Sequence, residues 1–326
     1  MKILFFLLFF FLVQTEARVI VDDYGRSVVI PDKVTKIYAA SPPISMSVLA
    51  FNPALLSALN TPFTPEQKPY VGIAYDKPIA GGFFGQGQTP NFELLAASKP
   101  DVILMWGGMN GYKKVLKKLK MLNIPVLLVR NSTIKDLITQ FELYGKLTGE
   151  RTRAKELIAY TQETLTLIDS LQSTLAKKKR VRYYFAEGVD GMNSECSGSF
   201  HLEPFIYSGA TNALNCKMSS NYGMERISFE NILLSNPDVI VAMQKSFYDG
   251  IYKNPKFKSL RAVKNKKVYL VPSLPFNYIT RPPSFMRLMG IRWLIHSFYP
   301  ELLPLSLSKE LDRFEKIFFQ SIVISK

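Results

Sequence analysis

One pattern of apolar and polar positions occurs twice in the chain, in residues 91–105 and again in residues 228–242. In each copy, apolar residues at helical spacing are followed by Pro, Asp and a short continuous apolar run. Helices generally stop before a Pro, and an apolar run of this length suits a buried parallel strand. Each copy therefore predicts a helix, a turn and a strand. The identical positions are Phe92, Glu93, Ser98, Pro100, Asp101, Val102 and Ile103, matched by Phe229, Glu230, Ser235, Pro237, Asp238, Val239 and Ile240.

A second helix-and-strand pattern follows each copy. Residues 115–122 predict a helix and residues 124–129 a strand, and residues 257–263 and 267–271 repeat that order. Alternating helices and buried strands predict an α/β fold with mainly parallel sheets flanked by helices. The copies are about 140 residues apart, which is too long for a solenoid and suits two similar lobes.

Residues 149–180 lie between the lobes and predict one long backbone helix. Apolar residues recur there at helical spacing, with no Pro and no internal Gly. At about 1.5 Å per residue the helix spans roughly 45 Å, enough to brace both lobes. We expect a first lobe over residues 18–148, a second lobe over residues 181–326, and small lobe motions on ligand binding.

The first residues have the layout of a secretory signal peptide. Lys2 precedes an apolar run from Ile3 to Val13, and a short polar stretch ends at Ala17. About eleven apolar residues are too few for a membrane span. We expect residues 1–17 to be removed and the mature protein to be periplasmic.

The net charge of +15 admits nucleic acid, anionic lipid, an anionic ligand or simply a solvated surface. Basic clusters occur at residues 113–118, 177–180 and 264–267, where helix faces and loop ends are expected, so a solvated surface is favoured. Export and the absence of a nucleic-acid-binding motif argue against nucleic acid.

The two cysteines, Cys196 and Cys216, both lie in the exported part of the chain. An oxidising compartment favours a disulfide between them, which would stabilise the fold by roughly 3 kcal/mol. Two buried thiols or soft metal ligands are the alternatives.

Four stretches carry a resemblance to a known family: residues 21–31, residues 39–43, residues 88–93 followed by 99–108, and residues 187–191 with 198–203 and 208–212. They resemble the helical-backbone class of periplasmic binding proteins, which serve importers of ferric siderophores, haem and cobalamin. The resemblance covers essentially the whole mature chain. It implies two lobes with a ligand cleft between them, and an inner-membrane ABC permease with its ATPase as partners. A monomer without a resident cofactor is expected.

In such a fold the ligand meets the carboxyl ends of the strands and the loops after them. The loops expected there are residues 41–42, 81–88, 106–110, 187–193, 199–201, 222 and 275–281. Within them the candidate ligand-binding residues are Phe83, Phe84, Gln86, Trp106, Tyr222, Phe276, Tyr278 and Arg281.

The chemistry of these candidates suits an anionic chelate. Phe83 and Phe84 are flanked by glycines and are expected as exposed aromatic platforms, whereas Trp106 ends a buried strand and could also be an ordinary core residue. Tyr222 and Tyr278 could stack on a ligand, bind ferric iron or pack at the rim. Arg281 precedes two prolines, and its guanidinium would fork onto an anion or form a surface ion pair.

His201 is the histidine expected near the cleft and is a weak candidate metal ligand, since a helix-face histidine bonded to the backbone is the commoner case. Glu93 and Glu230 occupy equivalent positions of the repeat near helix starts. Helix capping would explain both carboxylates, but the resemblance implies that they dock onto arginines of the permease.

Enzyme motifs are missing: the sequence has no phosphate loop, no Gly-x-Ser-x-Gly elbow and no metalloprotease histidine pair. A nitrogenase-like metal-cluster enzyme would need more cysteines than two. The expected function is therefore binding and delivery of a metal chelate, a ferric siderophore first and a nickel or cobalt chelate next. Cobalamin, haem and a sensor without transport remain alternatives.

Overall fold

The computed structural model describes residues 17–83, 88–109, 111–219, 223–303 and 306–319. Its first lobe is built on a parallel sheet of order β3-β4-β5, formed by Ile37–Ala39, Val102–Trp106 and Val126–Val129. Ala39 pairs with Leu104, and Trp106 pairs with Val129. In front of this sheet an antiparallel pair, β1 (Ala17–Val21) and β2 (Ser27–Pro31), opens the described chain. The predicted signal segment lies almost wholly outside the described residues.

The second lobe repeats this plan with a sheet of order β11-β10-β6-β8. Its strands are β6 (Arg182–Ala186), β8 (Thr211–Asn212), β10 (Val239–Ala242) and β11 (Val268–Leu270), and all their pairings are parallel. A small antiparallel pair joins β7 (Asn193–Ser194) to β9 (Glu225–Arg226). The predicted α/β class with two parallel sheets is confirmed.

Helices connect and cover these strands. They are α1 (Pro42–Phe51), α2 (Lys68–Val71), α3 (Phe92–Ala97), α4 (Tyr112–Lys120), α5 (Asp136–Thr148), α6 (Arg151–Lys177), α7 (Glu203–Tyr207), α8 (Phe229–Ser235), α9 (Lys245–Gly250), α10 (Arg261–Lys264), α11 (Arg287–Phe298) and α12 (Leu307–Phe318), with 3-10 turns at Pro53–Leu55, Pro65–Gln67, Gly72–Asp76 and Phe200–Leu202. The helix predicted over residues 257–263 is mostly turns, and α10 begins only at Arg261 because Leu260 is extended. Across the described ranges, no helix combines the length and the apolar character that a membrane span requires.

The repeated residues explain why the two lobes fold alike. In both copies the Ser hydroxyl donates to a carbonyl of its own helix, Ser98 to Leu95 and Ser235 to Ile232. The Asp that follows caps the neighbouring strand: Asp101 accepts from the amides of Thr35 and Lys36 before β3. Asp238 accepts in the same way from the amide of Arg182 at the start of β6. The repeat is thus a structural device that ends a helix and aligns the next strand.

Each sheet has two buried faces, and alternate residues of a strand belong to different cores. In β4, Val102 and Leu104 enter a large core, while Ile103 and Met105 enter a smaller core under α3 and α4. In the second lobe, Val239 and the other inward residues of β6 and β10 enter the same large core, and the outward residues pack under α8 to α10. The large core is therefore shared by the lobes.

The long helix α6 passes through this shared core. Its residues Leu157, Tyr160 and Ile168 are buried there, beside the inward faces of both sheets. The predicted backbone helix over residues 149–180 corresponds to Arg151–Lys177, because Gly149 takes a left-handed conformation that ends α5 and Lys178 is extended.

Candidate functional site

Adjacent strands of the first lobe end in polar side chains that face a common edge. Ser41 follows β3 and caps α1, Trp106 closes β4, and Asn131 lies just beyond β5. Ala39 pairs with Leu104, and extending this register by two residues places Ser41 opposite Trp106. Because the carboxyl ends of parallel strands share one edge of a sheet, these groups lie at the edge where the ligand cleft is predicted, and we call them the first-lobe rim.

These rim groups are buried without a hydrogen-bond partner among the described residues. They are the Ser41 hydroxyl, the Trp106 indole nitrogen and the Asn131 amide nitrogen. Helix α1 begins Pro42-Pro43, so the first two positions of the helix offer no amide to the Ser41 cap. Buried donors normally find a partner, and unpaired ones near a cleft indicate a place for an acceptor.

The second lobe contacts this rim directly. The ring of Phe200 meets Trp106 edge-on, with 5.7 Å between centroids. Nearby, Gln67 of the first lobe donates to the carbonyl of Pro275 at 2.9 Å. The backbone amide of Ile134 donates to Glu203 at 2.8 Å. The lobes therefore touch at several points around the cleft.

Arg281 lies in the segment between β11 and α11 of the second lobe, and two carboxylates hold it there. Its Nε donates to Glu187 at 2.7 Å, and its Nη2 donates to Glu195. Both carboxylates are fully buried, whereas the Arg281 side chain is 26% exposed. The cluster carries one more negative than positive charge when both carboxylates are ionised. The expected anion-binding guanidinium is therefore already neutralised by protein.

Glu195 is a carboxylate of this cluster whose charged form is disfavoured. Burial, and then repulsion from Glu187, raise its pKa from 4.5 to about 7, against the stabilising Ser199 hydroxyl and Arg281. The Ser199 hydroxyl donates to Glu195 at 2.7 Å and the Met224 amide at 3.2 Å. Gly223 is required beside it, because a Cβ there would overlap the carboxylate oxygens. The sequence does not indicate Glu195 as a site residue, because it lies in no periodic segment and no recognisable motif.

His201 is buried, and its Nδ1 shares a hydrogen bond with the Thr280 hydroxyl. The described residues contain no group of three His, Cys, Asp or Glu side chains placed to hold a metal ion. Direct metal ligation by His201 thus has no support from neighbouring side chains.

The predicted aromatic walls lie differently from expectation. Phe83 is only 4% exposed and packs edge-on against Phe92, so its prediction as an exposed platform is wrong. Its amide donates to the carbonyl of Ala40, which holds Phe83 against the end of β3. Phe276 and Tyr278 are also buried, the former against Phe63. Burial raises the pKa of the Tyr278 phenol, which disfavours a phenolate ligand. Phe84, Gln86 and Tyr222 lie outside the described residues.

A disulfide joins Cys196 to Cys216, as the sequence predicts, with 5.2 Å between the Cα atoms. Cys196 directly follows Glu195 and is fully buried. The bond fixes the segment that carries Glu195 beside the segment that leads to Gly223.

Glu93 and Glu230 lie in the first turns of α3 and α8, and both side chains are exposed. The N-cap positions are filled by Asn91 and Ser228, whose side chains accept the helix amides. Capping therefore does not need the glutamates. Exposed leucines follow on both helices, Leu94 at 44% and Leu234 at 81%.

Comparisons with known proteins agree with this architecture. Residues 74–274 match the family model described as periplasmic binding protein. An ABC transporter solute binding protein from Sulfurospirillum deleyianum is 33% identical and superposes with a TM-score of 0.84 over 93% of this chain and 95% of its own. The molybdate-binding protein MolA of Haemophilus influenzae is 24% identical over 87% of this chain and 85% of its own length. The Fe(3+)-citrate-binding protein YfmC of Bacillus subtilis is 27% identical over 57% of this chain and 58% of its own length.

Proposed function

The chain belongs to the periplasmic binding protein family, in its helical-backbone class, and we propose that it binds an anionic metal species in the cleft and delivers it to an ABC permease. The relatives named above are solute-binding proteins, which supports a binding and transport role over an enzymatic one.

The set of unpaired donors at the first-lobe rim carries the proposal. A hydroxyl, an indole N–H and a side-chain amide N–H suit an oxygen-rich anion. Two relatives are named for ligands of this chemical class, molybdate and Fe(3+)-citrate.

Because Phe83, Phe276 and Tyr278 are buried, the expected ligands rank differently from the order that the sequence suggests. A bulky siderophore, cobalamin or haem needs broad apolar walls, and these rings are occupied by protein packing instead. A small metal oxyanion or a compact carboxylate chelate therefore comes first, and a ferric siderophore second.

Titration calorimetry of the mature protein tests the ligand class, with molybdate, tungstate, sulfate, ferric citrate, nickel-histidine and cobalamin as ligands. We expect saturable binding of a metal oxyanion or of ferric citrate. Ser41→Ala and Trp106→Phe should each weaken it about tenfold, since each removes one hydrogen bond to a charged group.

Trp293→Phe is the matched control, because Trp293 is the second tryptophan of the chain and lies on α11 of the second lobe. Equal losses in Trp293→Phe and Trp106→Phe would show that the rim donors are not the site. Binding of cobalamin alone would contradict the anionic class while leaving the family role intact.

We also propose that Glu93 and Glu230 dock the protein onto the permease. They are the repeated residues whose carboxylates make no hydrogen bond or ion pair within the described chain, whereas repeated Ser and Asp residues have structural partners. Two equivalent acidic points on two lobes suit a partner with two equivalent basic points.

The double variant Glu93→Arg with Glu230→Arg should abolish ligand-stimulated ATP hydrolysis by the importer reconstituted in proteoliposomes, because like charges would then face each other. Ligand affinity should stay unchanged. The control variant carries Glu66→Arg and Glu142→Arg, at exposed acidic positions outside the repeat. Equal stimulation by the double variant and the wild-type protein would contradict the docking role.

A further inference from the structure

The positive charge of the chain is concentrated in two acid-free segments. Residues 102–135 contain seven Lys or Arg residues and residues 250–300 contain ten, and neither segment contains Asp or Glu. Four arginines of the second segment pair with carboxylates from elsewhere in the fold, which leaves its lysines as the unpaired cations. The rest of the surface is mixed in sign: α12, for example, interleaves Lys309, Glu310, Asp312 and Arg313. A merely solvated surface has no physical need to exclude acidic residues from two long stretches.

The lysines of both segments are exposed and make no ion pair within the described chain. Apart from Lys135 at the start of α5, they lie on α4 in the first lobe and surround α10 in the second. They are Lys113, Lys114, Lys117, Lys118 and Lys120, and Lys253, Lys256, Lys258, Lys264, Lys266 and Lys267. We call these two sets the lysine faces.

The two faces occupy equivalent places in the two lobes. Helix α4 connects β4 to β5, and the chain through α9 and α10 connects β10 to β11. Leu119 of α4 shares the outer core of the first lobe with Leu95 of α3, and Ala262 of α10 shares that of the second lobe with Ile232 of α8. Each lysine face therefore lies on the same side of its sheet as the helix that carries Glu93 or Glu230.

We infer that the lysine faces bind the anionic phospholipid surface of the membrane that holds the importer. Lysine ammonium groups on flexible stems suit a diffuse anionic surface, whereas arginine forks suit fixed carboxylates. Met121 is 80% exposed at the end of α4, and Tyr252 is 38% exposed beside Lys253, which places an apolar side chain beside the first lysine face and an amphipathic one beside the second.

This contact would bring the protein to the membrane before it meets the permease, and it does not depend on the ligand. Each lysine near an anionic bilayer strengthens binding about fivefold, and the attraction decays within roughly 8 Å at physiological salt. The association is thus weak, reversible and salt-sensitive, as delivery of successive ligands requires.

Co-sedimentation of the mature protein with vesicles tests the inference. Pure phosphatidylcholine vesicles are compared with phosphatidylcholine vesicles containing phosphatidylglycerol, at low and at high salt. Two test variants each neutralise one face, Lys113→Gln, Lys117→Gln, Lys120→Gln in one and Lys256→Gln, Lys258→Gln, Lys266→Gln in the other. A control variant removes the same charge elsewhere, with Lys146→Gln, Lys155→Gln and Lys177→Gln on exposed positions of α5 and α6.

We expect binding to the phosphatidylglycerol vesicles only, abolished by high salt and weakened at least tenfold more by either test variant than by the control. Equal losses in all three variants would reduce the effect to net charge and overturn the inference. Unchanged vesicle binding, combined with lost binding to the detergent-solubilised permease, would assign the faces to a protein partner and would also overturn it. All substituted side chains are exposed, and unchanged melting temperatures would confirm that the variants are folded.

Discussion

At the scale of single residues, Glu195 should give the protein a distinctive dependence on pH. Its pKa is raised to about 7, so the folded protein holds this proton more tightly than the unfolded chain does. The stabilising contribution is full below about pH 4.5 and is lost as the pH rises through about 7. Besides Glu187 and Arg281, Tyr183 also interacts electrostatically with the Glu195 carboxylate. We expect Glu195→Gln to flatten the fall in melting temperature between about pH 5 and about pH 8.

Thermal unfolding followed by circular dichroism across this pH range measures the effect, at roughly 2–4 °C for each kcal/mol in a protein of this size. Glu142→Gln, at an exposed position of α5, should retain the wild-type slope. Identical slopes in wild type and Glu195→Gln would contradict the assignment of the proton to Glu195.

The site residues divide by what a sequence pattern can show. Trp106 and Ser41 could be placed at the rim because the ends of buried strands are visible in the apolar pattern. The loop holding Phe83 could not, because flanking glycines indicate freedom of the backbone and not the direction in which a loop folds. The carboxylate partners of Arg281 come from residues 86 and 94 positions away, a pairing that only the fold brings together.

At the scale of elements, α12 is fastened to the backbone helix by a charged cluster around Tyr160. The guanidinium of Arg292 lies 4.8 Å and that of Arg313 lies 5.0 Å from the Tyr160 ring centroid, and the phenol donates to Glu310 at 2.6 Å. Arg292 is buried and Arg313 is 45% exposed, although both pair with Glu163 and Glu310. The same chemistry therefore occurs in two solvent environments.

Arg292→Ala should lower the free energy of unfolding by about 1.5–3 kcal/mol, because it removes the buried cation that lies 3.2 Å from Glu310 and leaves only Arg313, at 3.6 Å, to pair with that half-buried carboxylate. Arg313→Ala should cost about 0–1 kcal/mol, because water replaces an exposed partner. Urea denaturation of both variants provides the measurement. Equal costs would show that the pairing, and not the burial, sets the energy.

Elements whose pattern is periodic and bounded were predicted well. The repeat helices α3 and α8, the strands that follow them and the long helix α6 agree with their predicted positions within a few residues. The failure at residues 257–263 has a local cause, since Asn254-Pro255 and the extended Leu260 replace helical turns with tight turns while Phe257, Leu260 and Val263 stay buried. Burial alone mimics helical periodicity over so short a segment.

At the scale of the whole molecule, the sequence predicts two lobes braced by one helix, and the largest described core is continuous between these lobes. Val102 of the first sheet, Leu157 of α6 and Val241 of the second sheet all belong to it. A brace that is itself part of the core cannot bend without exposing apolar surface. This physical link supports the expectation that ligand binding moves the lobes only slightly.

The shared core also predicts how the protein unfolds. If neither lobe can lose its inner face without exposing the other, scanning calorimetry should show a single transition with equal calorimetric and van't Hoff enthalpies. Ile168→Ala removes a side chain of α6 that is 2% exposed, and should lower the stability by about 2–5 kcal/mol while keeping one transition. Phe257→Leu changes the smaller core that belongs to the second lobe alone. It should likewise lower the temperature of the whole transition and not split it into two. Two separated transitions in the wild-type protein would mean that the lobes fold independently, and that α6 connects them without coupling them.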